Sequence, residues 1–184
     1  MIKKWFAIKI IFILSLAMFV SYSIGEGATR IVVVGDTGTG ERAYAPGFMA
    51  VQKAMREKDA DALLHLGDFV YQPDFFPQSC PNRYIKEIKE TLSDPYPIKL
   101  FVAGDNDLPP KKWKPKASGC WDKIDHLDSG FDTPGPRANE GTRVISNALI
   151  GIINNYPWQD PTSWLAPRIK EARKQGMWII LAVH

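Results

Sequence analysis

The apolar run Ile31-Val32-Val33-Val34 ends at Gly35-Asp36, and the chain repeats this arrangement twice more. The repeats read Ala62-Leu63-Leu64-His65-Leu66-Gly67-Asp68 and Leu100-Phe101-Val102-Ala103-Gly104-Asp105. Each run predicts a buried strand, because its apolar residues do not alternate with polar ones. If the strands lie side by side, three carboxylates meet at one edge of the sheet, where they repel one another and lose hydration. The pattern therefore predicts a metal site at the C-terminal edge of an α/β sheet.

Helical and irregular segments separate the predicted strands. The remaining predicted elements are a helix over 46–58, a helix over 84–92, a Val- and Ile-rich segment over 143–153, a helix over 161–174 capped by Asp160, and a strand over 177–183. Strands that alternate with helices predict a mostly parallel or mixed sheet. Between residues 107 and 140 the periodicity is lost, and an irregular insertion of this length commonly shapes a functional site.

The first 23 residues predict a secretory signal peptide. A basic start precedes an apolar stretch from Ile10 to Val20, and the small residues Ser21 and Ser23 follow it. An uncleaved N-terminal anchor is the alternative. In either case we expect an exported protein whose single domain spans residues 28–184.

The net charge of the chain gives no reason to expect a nucleic-acid partner. The predicted signal carries three lysines and no acidic residue, so the remainder is neutral, with 20 basic and 20 acidic residues. The Gly35-x-x-Gly38-x-Gly40 turn does not have the spacing of a dinucleotide-binding fingerprint, and no lysine follows it as in a P-loop.

Cys80 and Cys120 are the only cysteines, and both lie in loop-like sequence. In an exported protein they could form one disulfide between two surface insertions. Two free thiols, or pairing with another chain, remain open at this stage.

The ordered set of motifs resembles the calcineurin-like metallophosphoesterases. It consists of Gly35-Asp36-x-Gly38, Gly67-Asp68-x-x-Tyr71, Gly104-Asp105-Asn106-Asp107 and a final strand that leads to His184. The first two blocks are closest to the purple acid phosphatase branch. The resemblance covers about residues 30–184 and implies a four-layer αββα sandwich of two mixed sheets. The family pattern continues with a Gly-His-x-His block that would lie beyond residue 184, so we expect this chain to be the N-terminal part of the domain.

The resemblance implies a dinuclear metal site and assigns a role to each matching residue. Asp36 would bind the first metal, Asp68 would bridge both metals, and Tyr71 stands where purple acid phosphatases place a ligand to the first metal. Asp105 occupies the place of an Asn that binds the second metal. His184 is similar to a His that also binds the second metal.

One departure from the family pattern concerns the catalytic position. Asn106 stands where the family commonly has a His that contacts the phosphate and assists the leaving group. An Asn can donate a hydrogen bond to a phosphoryl oxygen, but it cannot serve as a proton donor near neutral pH.

The function implied by the resemblance is the hydrolysis of phosphate mono- or diesters by a metal-activated hydroxide. The ligands suit two divalent or trivalent ions, Fe, Mn, Zn or Mg. The partner would be a small-molecule phosphoester, and we expect no membrane partner after signal cleavage. The alternative is a catalytically inactive metal- or phosphate-binding fragment on the same scaffold, favoured by Asn106 and by the missing block.

Other conspicuous side chains have simpler interpretations. We expect His65, inside its strand, to be a hydrogen-bonded core histidine. Trp113, Trp121, Trp158 and Trp164 could form a substrate wall, but we favour packing within loops. The nearby run of Lys111, Lys112, Lys114 and Lys116 could attract a phosphorylated ligand, although a solvated loop is the usual structure of such a run.

Overall fold

Two β-sheets face each other in the computed structural model of the chain, which describes residues 29–38, 46–71, 80–113, 115 and 117–184. The predicted signal peptide lies outside the described residues. So do Gly40 of the glycine-rich turn, residues 72–79, Lys114 and Lys116.

The first sheet is fully parallel. Its strands are β1 (Ile31–Val34), β2 (Ala62–His65) and β3 (Ile98–Phe101), in the order β1-β2-β3. The last residues of the three strands are paired in register, so all three strands end at the same level. Each of the three predicted Gly-Asp strands is therefore present, and their carboxyl ends share one edge.

The second sheet is mixed and lies against the first. Its strands are β4 (Thr133–Pro134), β5 (Gly141–Ile145), β6 (Ala148–Ile152) and β7 (Trp178–Ala182). Antiparallel pairing joins β4 to β5 and β5 to β6, whereas β6 and β7 are parallel. The segment predicted over 143–153 is thus a hairpin, and the last strand returns parallel through a helix, as expected for an α/β connection.

Three of the four helices that the structure describes are close to their predicted positions, and the helix over Trp121–Ile124 was not predicted. They are α1 (Pro46–Arg56), α2 (Asn82–Ile88), α3 (Trp121–Ile124) and α4 (Thr162–Lys174). A π-helical turn over Lys89–Ser93 continues α2, and a 3-10 turn over Asp125–Leu127 follows α3. The segment expected to be irregular, 107–140, thus contains α3 and β4, and the expectation that it is wholly irregular was wrong. At the start of α4 the Thr162 amide donates to Asp160 at 2.9 Å, consistent with a capping side chain.

Two apolar cores define the layers. The inter-sheet core is formed by buried side chains of both sheets, namely Ala62, Leu64, Leu100, Val102, Ile145, Ile150, Ile152 and Ala182. The second core joins the first sheet to α2 and α3 and includes Leu63, Phe69, Ile88, Leu92, Phe101, Trp121 and Ile124. Each large side chain buried in this way contributes about 1.5 to 3 kcal/mol relative to its exposed state.

The outer face of the second sheet is covered by α4, whose Leu165 and Ala172 are buried. The layer order is therefore helix, sheet, sheet, helix, as the resemblance implied. Among the described helices, none combines the length and apolar composition that a bilayer crossing requires.

A disulfide links Cys80, just before α2, to Cys120 at the start of α3, with 5.0 Å between the two Cα atoms. Of the alternatives left open by the sequence, the structure therefore adopts the intramolecular bridge. Because the bridge closes a loop of 40 residues, chain entropy alone predicts a stabilisation of about 4 kcal/mol. The bridge holds the insertion after β3 against the helical layer.

Candidate metal centre

The strands of the first sheet end in sharp turns that we call the carboxyl edge, comprising residues 35–38, 67–71 and 104–107. Asp36 and Asp68 both have left-handed backbones, with φ of +53° and +58°. Such a conformation costs a non-glycine residue about 1 to 2 kcal/mol, and strain of this kind concentrates at functional sites. The turns are coupled to each other, since the Asp36 amide donates to the Gly67 carbonyl at 2.9 Å.

Two glycines let the turns approach closely. A Cβ atom on Gly104 would collide with the backbone nitrogen and Oδ1 of Asp68. A Cβ atom on Gly67, where φ is +96°, would lie 2.8 Å from Nδ1 of His184. Side chains at these positions would therefore occupy the space in which the carboxylates and the imidazole meet.

Three predicted ligands converge at this edge. Ligand atoms of Asp68, Asp105 and His184 all lie within 4.8 Å of one another. Nε2 of His184 lies 3.6 Å from Oδ1 of Asp68 and 3.5 Å from Oδ1 of Asp105. The two sheets contribute different ligands: His184 follows β7 of the second sheet, whereas the two carboxylates follow strands of the first sheet.

The orientation of the His184 ring fits a metal ligand. Its Nδ1 lies 2.7 Å from the Leu66 carbonyl. A carbonyl can only accept, so the proton of the neutral ring lies on Nδ1, and the lone pair of Nε2 faces Asp68 and Asp105. A backbone carbonyl that fixes the tautomer in this way is the usual outer partner of a metal-binding histidine.

Asp36 and Tyr71 form a second group beside the first. The Tyr71 hydroxyl donates to Oδ1 of Asp36 at 2.9 Å. Burial, and then this hydrogen bond and the charge of Asp68, raise the pKa of Tyr71. The influence of Asp68 on the pKa of Tyr71 indicates that the Asp68 carboxylate also lies close to this second group.

Asp107 is a residue of the candidate site that the sequence interpretation did not single out, although it ends the third motif. Its side chain is fully buried. Its two oxygens accept four backbone N–H groups, from Asp68, Phe69, Val70 and Gly104, at 2.9 to 3.2 Å. Burial, and then the charge of Asp68, raise the pKa of Asp107 to about 8, while the backbone amides lower it. The residue fastens the turn after β2 to the turn after β3.

Asn106, predicted as the catalytic residue, is oriented toward Asp68. Its side-chain Nδ2 donates to Oδ2 of Asp68 at 2.6 Å, and its backbone N–H donates to Oδ1 at 3.1 Å. Both bonds hold the Asp68 carboxylate in place. The amide therefore lies beside the site, within reach of any group bound by Asp68.

His65 is a buried core histidine, as predicted. Its Nδ1 accepts the Gly67 N–H at 3.1 Å, so Nε2 carries the proton and donates to the Thr37 hydroxyl at 2.9 Å. Its ring also stacks on Phe69. Burial, followed by the charge of His184, lowers the pKa of His65 to about 3, so the ring is neutral and serves to connect the turns after β1 and β2.

The donor set matches the chemistry of a transition-metal or Mg site. Carboxylate oxygens and an imidazole nitrogen with a free lone pair converge, and a phenol and a further carboxylate lie next to them. This combination of hard oxygen donors with imidazole suits Mn, Fe, Zn or Mg. The glycines at the edge leave the volume around these atoms free of side chains.

Known proteins resemble this chain in sequence family and in fold. The family model for calcineurin-like phosphoesterases matches residues 29–184, and the chain belongs to this family. The fold is similar to that of a purple acid phosphatase from seeds of yellow lupin (Lupinus luteus), with a TM-score of 0.52 and 17% sequence identity over 85% of this chain. The chain spans 30% of the length of that protein. No curated protein matches the sequence.

Proposed function

We propose that this chain carries the core of an exported, metal-dependent phosphoesterase that hydrolyses phosphate mono- or diesters at a dinuclear metal site. The observation that carries the proposal is the convergence of Asp68, Asp105 and His184 within 4.8 Å. Family membership supports the reaction class. Export rests on the sequence of residues 1–23.

Each residue at the carboxyl edge has a definite task in the proposal. Asp36 and Tyr71 would hold one cation, Asp105 and His184 would hold the other, and Asp68 would serve as a ligand to both. Two bound cations would supply Lewis-acid polarisation of the phosphoryl group and a water of lowered pKa. The chain itself keeps the carboxylates from separating, because Asn106 and Asp107 restrain Asp68 through hydrogen bonds.

Asn106 is the proposed contact to the phosphoryl group. Its Nδ2 has two protons; the bond to Asp68 at 2.6 Å uses one of them, and the other makes only a long hydrogen bond of 3.5 Å to Oδ1 of Asp105. The second proton can be donated to a phosphoryl oxygen held at the site. Because an amide does not titrate near neutral pH, protonation of the leaving group is not assigned to Asn106.

The test is the variant Asp68→Asn in the full protein, compared with Asp94→Asn, an exposed aspartate in the helical layer. Metal content is measured by mass spectrometry, and turnover is measured with 4-nitrophenyl phosphate and bis(4-nitrophenyl) phosphate. Asp68→Asn should lose bound metal and at least about 100-fold in kcat/KM. Full activity and metal content in Asp68→Asn would refute the proposal, and Asp94→Asn should behave as wild type.

One observation favours the rival function of a binding protein without turnover. Asn106 lacks a titrating proton, and its amide is bonded to Asp68. The rival predicts that the wild-type protein binds metal and phosphate but turns over neither ester, and that Asn106→His creates activity. The phosphoesterase proposal instead predicts wild-type turnover and a loss in Asn106→Ala.

Export is tested separately. The chain with residues 1–23 should leave the cytoplasm, whereas a version that begins at residue 24 should remain there. Equal distribution of the two forms in cell fractions would remove export from the proposal and leave the proposed chemistry intact.

A further inference from the structure

We propose that the metal centre is extended by an aromatic subsite that selects phosphoesters with a planar aromatic leaving group. The subsite is formed by Tyr156 and Trp113, and it rests on the phosphoesterase function proposed above. The sequence favoured packing within loops for Trp113, and in the structure Trp113 does stack on Tyr156 of another loop; the ring of Tyr156 in turn lies near that of the candidate ligand His184.

The Tyr156 ring is a neighbour of both His184 and Trp113. Its centroid lies 6.0 Å from that of His184 and 5.6 Å from that of Trp113, and the Tyr156 and Trp113 rings are stacked at 19°. Trp113 is 56% exposed, so much of its surface remains available for contact with a ligand. In this proposal a ring attached to a phosphoryl group at the metal centre contacts Tyr156, the aromatic ring next to His184, and a second ring contacts Trp113.

The space beside these rings has the size of a ligand pocket. Lys111, Trp113, Tyr156 and Pro157 line a cavity of about 350 Å³, within the range typical of small-molecule sites. Lys111 adds an exposed positive charge. Because solvent screens an exposed lysine strongly, ring contact is expected to contribute more to affinity than this charge.

The loop that carries Tyr156 is held in place at several points. Nη1 of Arg137 donates to the Pro157 carbonyl at 2.6 Å, and Nη2 of the same residue pairs with the buried Glu140 at 2.6 Å. The side chain of Asn155 donates to the His184 carbonyl at 3.1 Å. Since this loop is bonded to the residue that carries the imidazole, the Tyr156 ring is held near the metal centre, and little ordering of this ring is needed when a ligand binds.

The experiment measures the binding of three non-hydrolysable probes to the metal-loaded full protein by calorimetry. The probes are methylphosphonate, phenylphosphonate and biphenyl-4-ylphosphonate, which carry no ring, one ring and two rings. In the wild type each added ring should tighten binding about fivefold. In Trp113→Ala the gain from the second ring should be lost and the gain from the first ring retained, and Trp113→Phe should restore most of the loss.

The matched control is Trp178→Ala. Trp178 is 72% exposed and lies at the start of β7, the end of that strand far from His184. This variant should keep both gains. Turnover gives a second measurement, since Trp113→Ala should raise KM for biphenyl-4-yl phosphate while kcat stays unchanged, as expected when contacts are equal in the ground and transition states.

The outcomes separate the two proposals. Equal binding of all three phosphonates, or an unchanged second-ring gain in Trp113→Ala, would overturn the aromatic subsite and leave the phosphoesterase function intact. Failure of every phosphonate to bind the metal-loaded protein would overturn both.

Discussion

The carboxyl edge and the first sheet's part of the inter-sheet core lie only a few residues apart in the chain, yet different kinds of interaction stabilise them. Leu100 is buried among aliphatic side chains of both sheets, where non-directional burial dominates. Five residues later, Asp105 belongs to a cluster in which carboxylates, backbone amides and an imidazole have fixed partners. The core can tolerate modest changes of shape, whereas at the edge the close approach at Gly104 and the four hydrogen bonds to Asp107 leave little tolerance for substitution.

This difference indicates which region of the protein is the more sensitive to substitution. In the core, hydrophobic character and approximate volume are sufficient to maintain the sheets. At the edge, each residue has specific partners: Gly104 lies too close to atoms of Asp68 to carry a side chain, and Asp107 accepts hydrogen bonds from backbone N–H groups. The four predictions below test the contrast, beginning with the largest expected effect.

Gly104→Ala should produce the largest effect, because its Cβ atom would collide with Asp68. We expect a loss of about 3 kcal/mol in the free energy of unfolding and loss of metal binding, measured by urea denaturation and calorimetry. The control is Gly130→Ala, where φ is +74° and no atom lies within 4 Å of the added Cβ. That change should cost only about 1 kcal/mol and leave metal affinity unchanged. Equal effects of the two changes would contradict the account.

Asp107→Asn should be the next most damaging change. One oxygen would become an NH₂ group facing two of the four backbone N–H donors. We expect a loss of about 2 to 3 kcal/mol in the free energy of unfolding and metal affinity reduced about 10- to 100-fold. Asp122→Asn, on an exposed aspartate of α3, is the control. Wild-type metal affinity in Asp107→Asn would show that the backbone clamp is dispensable.

Asp128 provides a pH test away from the edge. It accepts the N–H groups of Phe101 and Gly130. Burial raises the pKa of Asp128 to about 6, with Asp125 adding to this and the two amides and Arg143 opposing it. Since the folded-state pKa lies above the ordinary value of 3.8, folding favours the protonated form. This contribution to stability is present below pH 4 and is lost as the pH rises through 6.

The measurement compares the free energy of unfolding of the wild type and Asp128→Asn from pH 4 to pH 7. The difference in the free energy of unfolding between the two proteins should change by on the order of 2 kcal/mol over this range, with the wild type losing stability relative to the variant as the pH rises. The difference is the informative quantity, because His65, with its pKa lowered by burial, has the opposite effect on stability. A constant difference would show that Asp128 titrates normally.

Ile150→Val in the inter-sheet core should produce the smallest effect. Ile150 is fully buried, and loss of one methylene typically costs about 1 kcal/mol. Metal affinity should equal that of the wild type, because no hydrogen bond at the carboxyl edge changes. A metal-binding defect in this variant, measured by calorimetry, would show that the core and the edge are not independent.

The apolar runs predicted the strands of the first sheet correctly at 31–34, 62–65 and 98–101. In this sheet complete burial holds only for the central strand β2, whereas Val33 of the edge strand β1 is 54% exposed, so the expectation that β1 is a buried strand was wrong. The four-layer fold came from the resemblance and is confirmed. By contrast, α3 and β4 were missed, because packing of Trp121 and the disulfide at Cys120 stabilise this region more than local periodicity does.

The candidate site could be predicted only in part. The resemblance named Asp68, Asp105 and His184, which the two sheets bring together. The role of Asp107 could not be recognised from the sequence. Its hydrogen bonds come from backbone N–H groups, which every residue except proline has, so no partner side chain marks the interaction in the sequence. The contact between Trp113 and Tyr156 was missed because these residues are 43 positions apart in the sequence and meet only in the folded chain.

The most direct test of the central claim is a crystal structure of the full protein grown with Mn²⁺ or Zn²⁺, with anomalous scattering used to locate the ions. The account predicts two peaks at the carboxyl edge, with Asp68 contacting both at about 2.0 to 2.2 Å. Asp36 and Tyr71 should contact one ion, and Asp105 and His184 the other. Absence of any peak at this edge, or ions bound only elsewhere, would contradict the account.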